Sequence, residues 1–436
     1  MMPDTNIAIA ILTVSFFVFL ILRFPVALTL AISSMLTLWY LKIPVIIMAQ
    51  QMIQGTNSYS LLAIPFFILT GQLLGEGGLA NRIVNFTNVF VGRVPGGLSL
   101  VNSVACMFFG NLSGSAVADT SAVGSVMIPM MKSKGYAADY SVGVTIASAI
   151  QGVVVPPSHN LVLYSIAAAG IVGGLSVSKL FLAGILPGFL LLFTLMTVGL
   201  IISIKNKYPK GDRVPLKEVP MIIVHGILSL SPAVVILASI IGGFATATEA
   251  GAVAVVYSFL LATLLYRELT IKKLRNVLVR TLRTVAMVFF LIAASAAFGY
   301  VMNMLHLPEL IADLFIKLSS NPLVILLLIN VLLLILGGPM DMAPMILILT
   351  PVLLPVCMKL GMDPIHFGIM LIFNSGMGLL TPPVGTVLFV GCAIGKVSVG
   401  AGTKAMMPFF LAMICVLLLI TYVPGISMWL PTMFIK

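Results

Sequence analysis

Nearly the whole chain consists of long apolar blocks separated by short polar or basic clusters. Blocks of about 20 residues fit helices that cross a bilayer, whose hydrocarbon core is ~30 Å thick. They predict a first span over residues 5–22, a return over 25–40 and a span over 61–74. Between the last two, residues 43–59 are amphipathic and lie at the interface or form an arm. Residues 75–97 carry Arg82 and Arg93 and read as a surface helix and turn. Further spans are expected over 177–204, 220–241, 250–266, 284–304 and 405–423, with an amphipathic stretch at 305–321.

Four segments depart from this plan. Residues 98–131 hold two apolar stretches, each about half as long as the bilayer is thick, around the polar run Gly110-Asn111-Leu112-Ser113-Gly114-Ser115. This predicts a re-entrant helical hairpin that turns at 111–115 and leaves on the side it entered. Irregular backbone at membrane depth survives only where protein buries it or water lines it, so the turn is expected to face a cavity. Residues 322–356 form a second such hairpin around Gly337-Gly338-Pro339-Met340-Asp341. The long segments 139–170 and 365–395 are each interrupted by a double proline, Pro156-Pro157 and Pro382-Pro383, which no unbroken helix accommodates.

Composition fixes the class. Of 436 residues, 60% are hydrophobic and only 8% charged, which no ordinary soluble domain shows. The reading is an all-α polytopic membrane protein whose length is used up by one membrane domain. The first apolar block has no basic flank before it, so it reads as a retained span rather than a signal peptide. The net charge of +11 does not point to nucleic acid, because basic residues in membrane proteins mark cytoplasmic loops. Of the 23 Lys and Arg residues, 18 fall on one side of this topology, most of them in 205–217 and in the basic cytoplasmic loop 267–283. That places both termini outside and gives the two hairpins opposite orientations. Cys106, Cys357, Cys392 and Cys415 sit in apolar runs without metal-ligand spacing and read as small buried side chains.

The two halves repeat. A shift of 226 residues aligns Pro129 with Pro355, Gly135 with Gly361, Gly152 with Gly378, and Pro156-Pro157 with Pro382-Pro383; Ser148 falls on Asn374, and Gly110 lies one residue from Gly337. An inverted repeat with two re-entrant hairpins and two broken helices is the signature of a secondary transporter, with its site near the midplane. The expected units are 1–60 (scaffold spans and arm), 61–170 (first transport repeat), 177–283 (central scaffold), 284–396 (second transport repeat) and 404–436 (C-terminal span).

Broken helices present carbonyls to cations and amides to anions. Ser113, Ser115, Gly152, Val155 and Pro157 are the expected oxygens of one Na⁺ site. Gly337, Gly378 and Thr381, with Gly338 and Val384, are those of its repeat-related mate. Asn111, Ser158, Asn160 and Thr386 are the candidate substrate contacts. Asp119 and Asp341 each fit a helix cap or a cation or proton site, Glu249 reads as a cap, and His159 fits a structural role or a proton relay. The sequence has no helical HExxH, no phosphate-binding loop and no Cys/His cluster.

These motifs resemble a family. Residues 110–120, Ile128-Pro129, Lys134-Gly135-Tyr136, Pro156-Pro157-Ser158, Thr248-Glu249-Ala250 and Leu380-Thr381-Pro382-Pro383-Val384-Gly385 look like the large membrane subunit of tripartite ATP-independent periplasmic (TRAP) transporters. The resemblance covers essentially the whole chain. It implies an elevator-type importer coupled to two or more Na⁺ ions, with sodium sites at the hairpin turns and facing breaks. It also implies two partners, a small four-helix membrane subunit and a periplasmic substrate-binding protein, and places the chain in a bacterial inner membrane. The run Gln151 to Asn160 looks more like the sialic-acid and sugar-acid branch than the C4-dicarboxylate branch. A channel and a membrane-embedded enzyme are the competing readings, and scattered acids at 119, 249 and 341 give an enzyme little to work with.

Overall fold

In the computed structural model, residues 4–22, 24–211, 214–319, 321–338, 340–382 and 385–435 are described. The expected turn residue Pro339, the break residues Pro383 and Val384, and Arg23, Arg213 and Lys436 of the charge pattern lie outside them. The chain opens with α1 (Thr5–Ile21), α2 (Val26–Tyr40), α3 (Ile46–Thr56), a 3-10 turn (Tyr59–Leu62), α4 (Ala63–Glu76) and α5 (Leu79–Val91). The first hairpin is α6 (Gly97–Ser113) and α7 (Ala116–Ser133). The first broken helix is α8 (Ala138–Ala149) with α9 (Gln151–Val154), then α10 (His159–Val172), bent by 49° at the break. Then come α11 (Val177–Lys205), α12 (Val219–Ile241), α13 (Ala247–Leu260) with a π turn (Leu261–Leu265), α14 (Ile271–Met304) and α15 (Leu307–Leu318). The second hairpin is α16 (Pro322–Gly337) and α17 (Met342–Lys359); the second broken helix is α18 (Pro364–Gly378) and α19 (Thr386–Gly395). The chain ends with α20 (Val399–Tyr422) and α21 (Gly425–Phe434).

Among the described residues, seven helices are long and apolar enough to cross a membrane, eight if the bent pair is one span. Four elements differ from expectation. The basic stretch 267–283 is not a loop: Thr270 caps α14, whose Val277 and Thr281 are buried while Lys272, Arg275 and Arg283 project outward, so one helix runs on into the next span. The last span starts at Val399, because the Ser398 hydroxyl caps it at the Ala401 amide, and α21 is a separate helix after Pro424. The α13 helix starts at Ala247 because Thr246 and Glu249 form a reciprocal capping box. The first hairpin turn is tighter than 111–115, since α6 runs through Ser113.

The broken helices form the centre. Every residue of α18 from Ile365 to Gly378 is buried, as is every residue of α8 from Tyr140 to Ala149. Phe17, Trp39, Phe193 and Val234 are exposed on outer helices, where lipid would cover them. The amphipathic α5 and α15 lie against the hairpin helices α6 and α17, and the long helices cross over between halves: α4 packs on α13, α14 on α2 and α3.

The repeat is visible in hydrogen bonds as well as in helices. Ser103 meets Ser148 at 2.9 Å between α6 and α8, and the Asn374 amide donates to Asn330 Oδ1 at 2.9 Å between α18 and α16. The Tyr140 hydroxyl reaches the Gly199 carbonyl on α11, and His366 Nε2 the Ile420 carbonyl on α20. Each pair replaces water for a polar group inside the bundle, where an unmade bond is expensive.

Asn330 also donates to Thr421 Oγ1 at 3.0 Å. Asn330→Leu, which leaves buried Asn374 only its bond to the residue 330 backbone carbonyl, is expected to destabilise the protein by about 1–3 kcal/mol. Thermal unfolding in detergent checks this; the double variant with Asn374→Leu should recover part of the loss.

Candidate functional site

Each break is made by prolines and repaired by a hydroxyl. The carbonyl of Val153 would take its helical bond from residue 157, but Pro157 has no N–H. The Ser158 hydroxyl donates to that carbonyl instead, at 2.8 Å. In the second half the Gly378 carbonyl loses its donor at Pro382, and the Thr381 hydroxyl supplies one at 2.6 Å. The Gly152 carbonyl likewise loses its helical donor at Pro156.

Each hairpin is seated on its break through glycine. A Cβ on Gly110 would lie 2.6 Å from Gly152 Cα, and one on Gly152 would lie 2.2 Å from Gly110 Cα. Gly337 and Gly378 show the same reciprocal approach, at 2.8 and 2.5 Å. The side chain beside this contact differs between halves. A Cβ on Gly110 would lie 3.1 Å from Asp119 Oδ2, whereas one on Gly337 would lie 3.4 Å from Met345 Sδ. Asp119 is fully buried beside the Cys106 thiol, and neither of its oxygens has a hydrogen bond of normal geometry among the described residues.

The turn of the first hairpin is fixed by the helix after the break. Gly114 ends α6 in the left-handed region, φ +62°, with the His159 ring packed where a Cβ would go. Asn160 Nδ2 donates to the Gly114 carbonyl at 2.8 Å. Both hairpin turns and both breaks open onto one cavity of about 1030 Å³.

Four helices point their N-termini into it. Ala116, His159, Met342 and Thr386 begin α7, α10, α17 and α19, and all four line the cavity. Exposed amides and aligned peptide dipoles make such ends attractive to anions. The two hairpin helices are capped, α7 by Ser115 accepting from the Ala118 amide at 3.3 Å and α17 by Asp341 accepting from the Met342 amide at 2.8 Å. The two helices after the breaks, α10 and α19, have no side-chain cap.

Of the residues named from sequence, Ser113, Ser115, Asn160 and Thr386 line this cavity, as do His159 and Asp341. Asn111, Gly152, Val155, Pro157, Ser158, Gly337, Gly378 and Thr381 do not. Ser158 is wholly buried in the repair of the break, Val155 packs on Met107 and Leu192, and the three glycines make the hairpin contacts. Glu249 sits in its capping box. Sequence reasoning missed Glu76 and Arg280, which also line the cavity. It missed Ser121 and Ser125 too, although with Ala118 and Ala122 they form a stripe at helical spacing that was there to be read.

For a hard cation, the first hairpin offers the Ser113 and Ser115 hydroxyls at the cavity wall, and the break offers the carbonyl freed at Pro156. These oxygens suit Na⁺ chemically. No group of three or more His, Cys, Asp or Glu side chains among the described residues could hold a metal ion.

Comparison with known proteins agrees with this architecture. The family model for the DctM component of the tripartite ATP-independent periplasmic transporter matches residues 13–426. The chain is 42% identical to YgiK of Salmonella typhimurium, over 98% of both chains. It is 38% identical to the 2,3-diketo-L-gulonate TRAP transporter large permease YiaN of Escherichia coli, over 90% of this chain and 92% of that one. It is also 38% identical to the sialic acid TRAP transporter large permease SiaM of Vibrio cholerae, over 89% and 90%. Among solved structures, the YdaH transporter of Alcanivorax borkumensis superposes with a TM-score of 0.59 at 14% identity, covering 87% of this chain and 88% of that one. The fold, an all-helical inverted repeat of two hairpins and two broken helices, is shared with that transporter.

Gly152→Ala and Gly378→Ala should each force a methyl group into backbone and lower stability by about 1–3 kcal/mol. Thermal unfolding of the purified variants, against Gly400→Ala with open space around it, measures the effect.

Proposed function

We propose a function that proceeds from the family: this chain belongs to the DctM component family of tripartite ATP-independent periplasmic transporters. It is a multi-span membrane permease subunit that works with a small membrane subunit and a periplasmic binding protein. The chain imports an organic carboxylate, coupled to Na⁺, by an elevator movement of the hairpins and broken helices (61–170 and 284–396) against the remaining spans. It lies in a bacterial inner membrane with both termini on the periplasmic side.

The observation that carries this reading is the convergence of four helix N-termini on one cavity. The ends of α10 and α19, which carry no carboxylate, favour an anion over a neutral or cationic solute, while that of α17 already holds Asp341 and the first turn of α7 holds Asp119. The anionic group meets the uncapped ends of α10 and α19, through Asn160 and Thr386. Na⁺ binds at Ser113 and Ser115 with the Gly152–Pro157 break, and a second ion at Gly337, Gly378 and Thr381. The relatives named for 2,3-diketo-L-gulonate and for sialic acid are equally identical to this chain. Sialic acid is the substrate proposed from the residues at the first break; another sugar acid or a C4-dicarboxylate is the alternative.

Proteoliposomes holding this chain and its small partner should show saturable uptake of one such carboxylate, requiring both its binding protein and an inward Na⁺ gradient. Passive conductance would favour a channel, and no uptake with any combination of carboxylate and binding protein would sink the reading. Ser115→Ala should raise the Na⁺ concentration for half-maximal uptake, on the order of tenfold for a loss of about 1.4 kcal/mol. An unchanged Na⁺ dependence in both Ser115→Ala and Thr381→Ala would remove those residues from the sites.

A further inference from the structure

Two arginine–glutamate pairs tie the α4–α5 elbow to the start of α14, and they are built differently. Arg82 is held on every side. Its Nη2 lies 2.6 Å from Glu268 Oε1, its Nη1 donates to the carbonyls of Gly77 and Gly78 at 2.9 and 3.0 Å, and its guanidinium stacks 3.8 Å from the Tyr266 ring centroid. Its side chain is 22% exposed. Arg280 makes one side-chain contact among the described residues, Nη1 to Glu76 Oε1 at 2.7 Å, and is 61% exposed. Arg82 is part of the frame; Arg280 is free to change partner.

Their places differ too. Arg280 and Glu76 line the central cavity, and Arg82 does not. The cavity wall runs along α14 through Arg280, Thr284 and Val288 and along α4 through Glu76, Gln72 and Ile68, so Arg280 and Glu76 stand together at one end of it, where α14 carries its basic residues. One wall runs down α7 from Ser125 to Ser115, ten residues or ~15 Å, to the N-termini at the bottom.

We propose that Arg280 is an anion-handling residue at the cavity mouth, which exchanges Glu76 for the carboxylate of the cargo as that cargo passes between cavity and bulk water. The exchange is close to neutral in energy, because an exposed ion pair contributes only about 0–1 kcal/mol. A guanidinium can grip a carboxylate through two parallel N–H bonds, and the single contact to Glu76 leaves donors for this. Glu76 is then a competitor that keeps the arginine aimed inward while no cargo is present. The inference rests on the reading of the cargo as an organic anion, and it assigns the step between the helix N-termini and solvent.

The test needs no identified cargo. Cys106, Cys357 and Cys392 are buried and Cys415 is exposed. The full chain carrying Cys415→Ser and S125C therefore offers one thiol on the cavity wall. Its modification rates by anionic sulfonatoethyl and cationic trimethylammonioethyl methanethiosulfonate are compared, each relative to a free thiol. We expect the anionic reagent to be favoured, and Arg280→Gln to lower that preference on the order of fivefold, the equivalent of about 1 kcal/mol. Arg280→Lys should restore part of it and Glu76→Gln should raise it. Thermal unfolding of each variant separates a charge effect from a folding defect. A preference unchanged by Arg280→Gln, or lowered by Glu76→Gln, in folded protein would overturn the proposal. A thiol reached by neither reagent would instead overturn the cavity on which the functional reading stands.

Discussion

A helix can be broken at membrane depth only if something replaces the hydrogen bonds it loses. Everything distinctive in this protein follows from how that is done. Two prolines remove donors at each break, and one hydroxyl, Ser158 or Thr381, restores one bond. The break then has to be walled off from lipid. The hairpins do this, and they come close enough because glycine faces glycine at both contacts. Seating the hairpins brings their own turns to the same level as the breaks, and the four helix starts meet at one cavity. The anion-attracting end of each helix is thus a by-product of closing the bundle around its own defects.

Much of this was legible in the sequence. Short apolar pairs around polar turns, double prolines and the 226-residue offset pointed to hairpins, breaks and an inverted repeat, because each reports a local constraint on backbone hydrogen bonding. Helix ends were less legible. The start of α13 depended on a reciprocal cap between Thr246 and Glu249, and the start of α14 on a basic stretch whose buried face shows only once its neighbours are packed.

The site was legible in kind and not in detail. Ser113, Ser115, Asn160 and Thr386 line the cavity because a polar residue at a helix start faces the break it belongs to. Ser158 looked the same in sequence, but its hydroxyl is used up one turn back. The glycines at 152, 337 and 378 also bring backbones into close approach, a role the letters alone do not announce. Arg280 and Glu76 were hidden for another reason: they lie 204 residues apart, and a basic cluster near a membrane end ordinarily reports topology alone.

One feature of the glycine contact reaches further. Two identical halves related by an axis in the membrane plane would make an inward-facing and an outward-facing arrangement mirror each other and weigh the same. Here the slot beside the first contact holds Asp119 and the slot beside the second holds Met345. One takes a hydrophilic acid out of water and the other a thioether that was content to leave it. The pseudo-symmetry is therefore broken in the core itself, and substitutions at 119 and at 345 meet unlike surroundings.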